Sequence, residues 1–149
     1  MAIFEYTESF DYPAGAVYAV IADLAARPGW IGGIQRAEVS PEGPARLGTR
    51  YHETGKFAGF TSEKTLVVTD CEPGRLLTLM TPDGAKAPWR ESYRIEPLSE
   101  QACRVHFTTE AGNVPKAGEF FMGKAMKKEQ PKQTERLNSI LASQTTTPH

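Results

Sequence analysis

The feature that most constrains this chain is a change of hydrophobic period. From Ile3 to Glu110 the apolar residues recur in short alternating runs, and from about Pro115 onward they recur at helical spacing. Alternation with a period of two marks half-buried strands, and spacing near 3.6 marks an amphipathic helix. A run of short strands closed by one long helix is a container shape of the α+β class. It points to an internal cavity with apolar walls.

The first strand is expected at Ile3–Asp11, with Phe4, Tyr6, Glu8 and Phe10 on one face. Pro13 opens a helix, because its fixed φ suits the first turn and its missing N–H costs nothing there. Val17, Val20, Ile21 and Leu24 give that helix a buried stripe. Pro28-Gly29 breaks it, Trp30-Ile31 follow as a bulky apolar pair, and Gly32-Gly33 permit a sharp change of direction. Six further strands are read at Ile34–Ser40, Gly48–Gly55, Phe60–Asp70, Arg75–Thr81, Trp89–Glu96 and Cys103–Glu110. The short connections favour antiparallel pairing, and the glycines of Gly55-Lys56-Phe57-Ala58-Gly59 favour a hairpin. The closing helix is expected from Pro115 to Ser143, with a kink or break near Lys127–Gln130 imposed by Pro131. Residues 1–149 read as one domain, with 144–149 as a frayed tail.

Composition narrows the function classes. The 149 residues include 17 basic and 18 acidic side chains, for a net charge of −1. No block of like charge is long enough to suggest nucleic acid or an anionic membrane. Lys124, Lys127 and Lys128 form the densest basic cluster, interrupted by Glu129. No run approaches the roughly 20 apolar residues needed to span a bilayer, and the N-terminus lacks the pattern of a signal peptide. Two cysteines, Cys71 and Cys103, with no Cys-x-x-Cys, read as free thiols in a reducing compartment. The expected location is cytoplasmic.

The order and wording of the motifs resemble the START-related, birch-pollen-allergen-like superfamily (SRPBCC), and within it the polyketide cyclase/dehydrase-like branch. Phe10-Asp11-Tyr12-Pro13-Ala14-Gly15-Ala16-Val17-Tyr18 is similar to the family's strand, small-residue turn and helix entry. Ala22-Asp23-Leu24 with Trp30-Ile31 is similar to its "Asp … Trp-Ile" helix pair. Leu47-Gly48-Thr49-Arg50-Tyr51 and Val68-Thr69-Asp70-Cys71-Glu72-Pro73 are similar to a strand start and a strand end. The resemblance covers nearly the whole chain. It implies a helix-grip fold, a curved seven-stranded antiparallel sheet around the long C-terminal helix, with two short helices between strands 1 and 2. It also implies a cavity between sheet and helix. In that topology the strands carrying Cys71 and Cys103 are not neighbours, so no disulfide is expected. The family implies no single activity: members bind lipids, plant hormones or polyketides, or cyclise aromatic polyketides.

The leading functional reading is binding of a small hydrophobic or aromatic, lipid- or polyketide-like ligand. Trp30, Tyr51, Trp89, Tyr93, Phe107, Phe121 and Met122 are the expected wall residues, around a pocket of roughly 300–1,000 Å³. The alternative is a cyclase/dehydratase-type enzyme in which Glu91 is the acid or base. Glu91 shares its face with Trp89, Tyr93 and Ile95, and desolvation there would raise its pKa. The same argument touches Glu53, which shares a face with Tyr51. The competing reading pairs Glu91 with water or with an arginine such as Arg50. Glu129 and Gln133 on the closing helix either reach a ligand or face solvent. A third reading is a co-chaperone-like interaction module, which needs an exposed apolar patch. His52 and His106 lie on different strands, and His106 has the opposite parity to Cys103, so neither a metal site nor a Cys–His pair is expected. Gly-x-Gly-x-x-Gly and phosphate-loop patterns are absent, so no nucleotide cofactor is indicated. The expected partner is a small apolar ligand, with a homodimer left open.

Overall fold

The computed structural model describes residues 2–57 and 59–145. Seven strands run β1 (Ala2–Phe10), β2 (Ile34–Ser40), β3 (Arg50–Phe57), β4 (Phe60–Glu72), β5 (Leu76–Met80), β6 (Trp89–Ser99) and β7 (Ala102–Ala111). They form one curved sheet in the order β1-β7-β6-β5-β4-β3-β2, and every neighbouring pair is antiparallel. Helix α1 (Ala14–Ala22) and a short 3₁₀ helix (Leu24–Gly29) lie between β1 and β2, and α2 (Lys116–Thr145) closes the chain. This is the α+β helix-grip arrangement. The tail expected at 144–149 lies mostly outside the described residues, since α2 is followed only to Thr145.

Alternation carries the inward faces. On β6, Glu91, Tyr93 and Ile95 are buried, and on β7, Cys103, Val105 and Phe107 are buried. Tyr93, Ile95, Val105 and Phe107, with Cys103, meet Val17, Ile21 and Leu24 from the helical segment, and Leu137 and Leu141 from α2, in one core. Burying each such side chain contributes roughly 1.5–3 kcal/mol. His106 points the other way and meets the Thr7 hydroxyl through Nδ1 at 3.1 Å. Both cysteines are free; Cys71 Sγ lies 3.1 Å from the Tyr18 hydroxyl.

Three expectations change. The glycine-rich Gly55–Gly59 connection is shorter than read, because β3 and β4 stay paired out to Phe57 and Phe60. Ala58 of that turn lies outside the described residues. Gly55 instead sits inside β3, where the Gly33 backbone comes so close that a side chain would collide with it. The third change is at Pro131: of the expected kink or break, the break does not occur, because α2 runs through it as one helix. Proline removes one helical hydrogen bond and crowds the preceding turn. Here contacts on both sides hold the helix: Gln130 donates to Glu8 at 2.8 Å, Gln133 donates to the Tyr6 hydroxyl at 2.6 Å, and Leu137 and Leu141 are buried beyond.

The seating of α2 is uneven. No residue of the helix upstream of Leu137 is buried. The C-terminal part therefore seals the core, and the N-terminal part stands over the sheet without filling the space beneath it.

Candidate ligand cleft

The space under the first half of α2 is a cleft of about 1540 Å³. Its walls come from β1, β3, β4, β6, β7 and α2. It is larger than the expected pocket because the helix is anchored only at one end. Trp89, Tyr93, Phe107, Phe121 and Met122 line it. Trp30 and Tyr51 do not. Both are fully enclosed in the core behind the cleft, where the tryptophan ring meets Tyr93 edge-on at 6.2 Å. Phe121 is 66% exposed and stands with Phe60 and Ile3 at the mouth. The inner wall is aromatic: Tyr6 stacks on Phe107 at 4.4 Å, and Tyr93 meets Phe107 edge-on at 5.7 Å.

The floor holds a charged cluster built around Arg27, a residue that the sequence reading passed over. Arg27 is only 1% exposed. The 3₁₀ helix after α1 turns its side chain inward, where it lies 4.9 Å from the Tyr51 ring centre. Its Nη2 donates to Glu91 Oε1 at 2.7 Å, and its Nη1 donates to the Tyr93 hydroxyl at 3.3 Å. Glu91 also accepts from the Tyr93 hydroxyl at 2.6 Å and from Trp89 Nε1 at 3.0 Å. Glu53 Oε1 is 3.8 Å from Arg27 Nη2, within ion-pair range but too far for a hydrogen bond.

These contacts reverse the expectation for Glu91. Burial alone would raise its pKa, but Arg27 and the donors Tyr93, Arg27 and Trp89 hold it below the ordinary carboxylate value. The partner is Arg27, not Arg50, which is exposed. Glu53 goes the other way: burial, reinforced by Glu91, raises its pKa against the pull of Arg27. Burial likewise raises the phenol of Tyr51. Arg27 stays charged, because Glu91 and its other neighbours outweigh the cost of its burial.

Glu129 and Gln133 line the cleft, but their polar ends are committed. Glu129 accepts from the Gly32 backbone N–H at 3.1 Å and pairs with Arg136, while Gln133 holds Tyr6. They strap α2 to the rest of the fold. Among the described residues no cluster of three His, Cys, Asp or Glu side chains is placed to hold a metal. His52 meets Thr65 and Glu63 instead. No described helix is long and apolar enough to cross a membrane.

The chain matches the family "Polyketide cyclase / dehydrase and lipid transport" over residues 1–142. It belongs to that family. Solved structures of the same fold include the ZhuI aromatase/cyclase from Streptomyces sp. R1128, with a TM-score of 0.76 at 14% identity, covering 97% of this chain and 96% of that one. A START superfamily protein from Mycobacterium smegmatis gives a TM-score of 0.75 at 12% identity over 96% and 99%. Norcoclaurine synthase from Thalictrum flavum gives 0.70 at 13% identity over 97% and 96%. At these identities the likeness concerns the fold. No curated protein matches the chain.

Proposed function

We propose that this polyketide cyclase/dehydrase-family protein binds a small, flat, largely apolar ligand under the first half of α2, with the ligand's polar end toward Arg27, Glu53 and Glu91. The observation that carries this reading is the one-ended seating of α2, which leaves about 1540 Å³ between aromatic walls over an enclosed charged floor. Ligand sites are typically concave and apolar with a few converging polar groups. The exposed Phe60, Phe121 and Ile3 belong to the mouth of the same cleft, which makes them an entrance rather than a separate docking face.

Binding is favoured over catalysis by Glu91. A general base needs a free lone pair and a pKa near the working pH. Glu91 is held ionised below the ordinary carboxylate value, and Arg27, Tyr93 and Trp89 already take three of its roughly four lone-pair positions. One observation favours the cyclase/dehydratase alternative: Glu53 is a buried carboxyl of raised pKa in the cleft wall. In that reading Glu53 carries the proton and Glu91 positions Arg27. The ZhuI aromatase/cyclase supports this alternative through its fold alone.

Native mass spectrometry of the purified protein tests the binding reading by identifying co-purifying small molecules. Fluorescence gives a second readout. Trp89 lines the cleft and Trp30 is sealed in the core, so ligand-dependent emission changes should vanish in Trp89→Phe. If no apolar aromatic compound perturbs Trp89 and nothing co-purifies, the binding reading fails.

A further inference from the structure

We propose that Glu53 is the specificity-determining residue of the cleft, accepting a hydrogen bond from a neutral hydroxyl group carried on a flat aromatic ligand. This rests on the binding reading above and assigns the chemistry of the ligand's inner end.

The geometry starts from an imbalance. Two buried carboxylates, Glu91 and Glu53, face one buried guanidinium. Glu91 takes the short bond to Arg27 Nη2 at 2.7 Å, which leaves Glu53 Oε1 at 3.8 Å from the same nitrogen. The Glu53 side chain is 9% exposed and lines the cleft, and its Oε1 is enclosed with no hydrogen-bond partner in the protein. The Tyr51 hydroxyl on the same face of β3 is also enclosed and without a partner, as is Arg27 Nε. Tyr51 faces Glu53 but lacks the geometry of a full hydrogen bond. The carboxylate is thus short of donors: Oε1 is enclosed beside Arg27, and a ligand in the cleft supplies a donor at the exposed remainder of the group.

Charge decides which donor fits. An ammonium bonded to Glu53 would sit within a few ångströms of the Arg27 charge, in a region with little water to screen the repulsion. A carboxylate or phosphate would meet Glu53 and Glu91 together, with Arg27 already committed to Glu91. Of the other cations lining the cleft, Lys64 stands opposite Glu53 on β4 and its charge already acts on that carboxylate, while its Nζ donates to Ser62 Oγ at 3.2 Å and lies 4.1 Å from the Trp89 ring centre; Lys56 and Lys127 are exposed. A hydroxyl is neutral, donates to an ionised Glu53, and accepts from a protonated one. The stacked Tyr6 and Phe107 rings and the edge of Tyr93 suit a planar body above it.

Three naphthalene probes separate the possibilities: 2-naphthol, 2-methoxynaphthalene and 2-naphthoate, titrated against the intact protein with Trp89 emission as readout. The wild type should bind 2-naphthol at least about tenfold more tightly than either analogue, the scale of one net hydrogen bond. Glu53→Leu should weaken 2-naphthol by about that factor while 2-methoxynaphthalene holds or improves. Glu53→Gln keeps a neutral acceptor and should fall between them; it also serves if the leucine variant fails to fold. Binding of the probes with no preference for the hydroxyl, or a preference that survives both substitutions, overturns the role of Glu53 and leaves the binding reading standing. If none of the three binds, the role of Glu53 falls, and if nothing co-purifies with the protein either, the binding reading falls with it.

Discussion

Replacing Arg27 with Met should be among the most damaging single changes in the floor of the cleft, and its cost should depend on pH. The methionine keeps the length of the side chain but removes the charge that holds Glu91, which is only 8% exposed. Breaking one side of a buried ion pair typically costs about 3–5 kcal/mol. Protonation limits the loss here. From an ordinary value of 4.5, taking up a proton at pH 7 costs about 3.4 kcal/mol, and at pH 5 only about 0.7 kcal/mol. In the wild type the folded pKa of Glu91 is lowered, so its contribution is present above the unfolded value and is lost as pH falls through the folded one. In Arg27→Met the folded pKa is raised, so the sign reverses and stability is lost as pH rises. The deficit of the variant should therefore grow from about 1 kcal/mol at pH 5 to about 3–4 kcal/mol at pH 7, a drop of roughly 10 °C in melting temperature for a chain of this size. Urea denaturation at pH 5, 6 and 7 measures this, and Arg27→Met combined with Glu91→Gln should recover most of the pH 7 loss. A cost under about 1 kcal/mol at pH 7, or the same cost at pH 5 and pH 7, would refute the argument that Glu91 is held ionised by Arg27.

Glu53 should show the opposite linkage. Its folded pKa is raised, so its contribution is fully present below the unfolded value and is lost as pH rises through the folded one. Glu53→Gln should accordingly stabilise the protein relative to wild type more at pH 8 than at pH 5, read from melting curves; an equal effect at both would contradict it. Two glycine substitutions test the close approach in β3. Gly55→Ala should cost on the order of 2–4 kcal/mol, because its Cβ would meet the Gly33 carbonyl. Gly15→Ala in α1 has open space and should gain roughly 0.5–1 kcal/mol, so equal effects in denaturant titrations would rule out the contact.

How far the sequence carried is clearest on β6. Trp89, Glu91, Tyr93 and Ile95 share a face by simple alternation, and that face does turn inward. The change of period near Pro115 likewise gave the closing helix. Both are local properties: spacing along the chain decides which side chains share a face, whatever lies opposite. Arg27 had no such signal. Within Leu24-Ala25-Ala26-Arg27-Pro28-Gly29 it looks like a solvent-facing cation, and Glu91 is 64 positions away. The clue available was indirect, since a carboxylate on an apolar strand face needs a cation from somewhere.

The division between core and cleft wall shows the same limit. Trp30, Tyr51, Trp89 and Tyr93 are all bulky aromatics on inward faces, yet the first two are sealed in the core and the last two line the cleft. Met122 and Met126 fall at helical spacing as Leu137 and Leu141 do, and only the latter pair is buried. Periodicity determined the seven strands, their inward faces and the long helix. Where α2 rests on the sheet, and so where the cleft opens and which carboxylate wins Arg27, depends on contacts between residues far apart in the chain, and that only the tertiary structure decided.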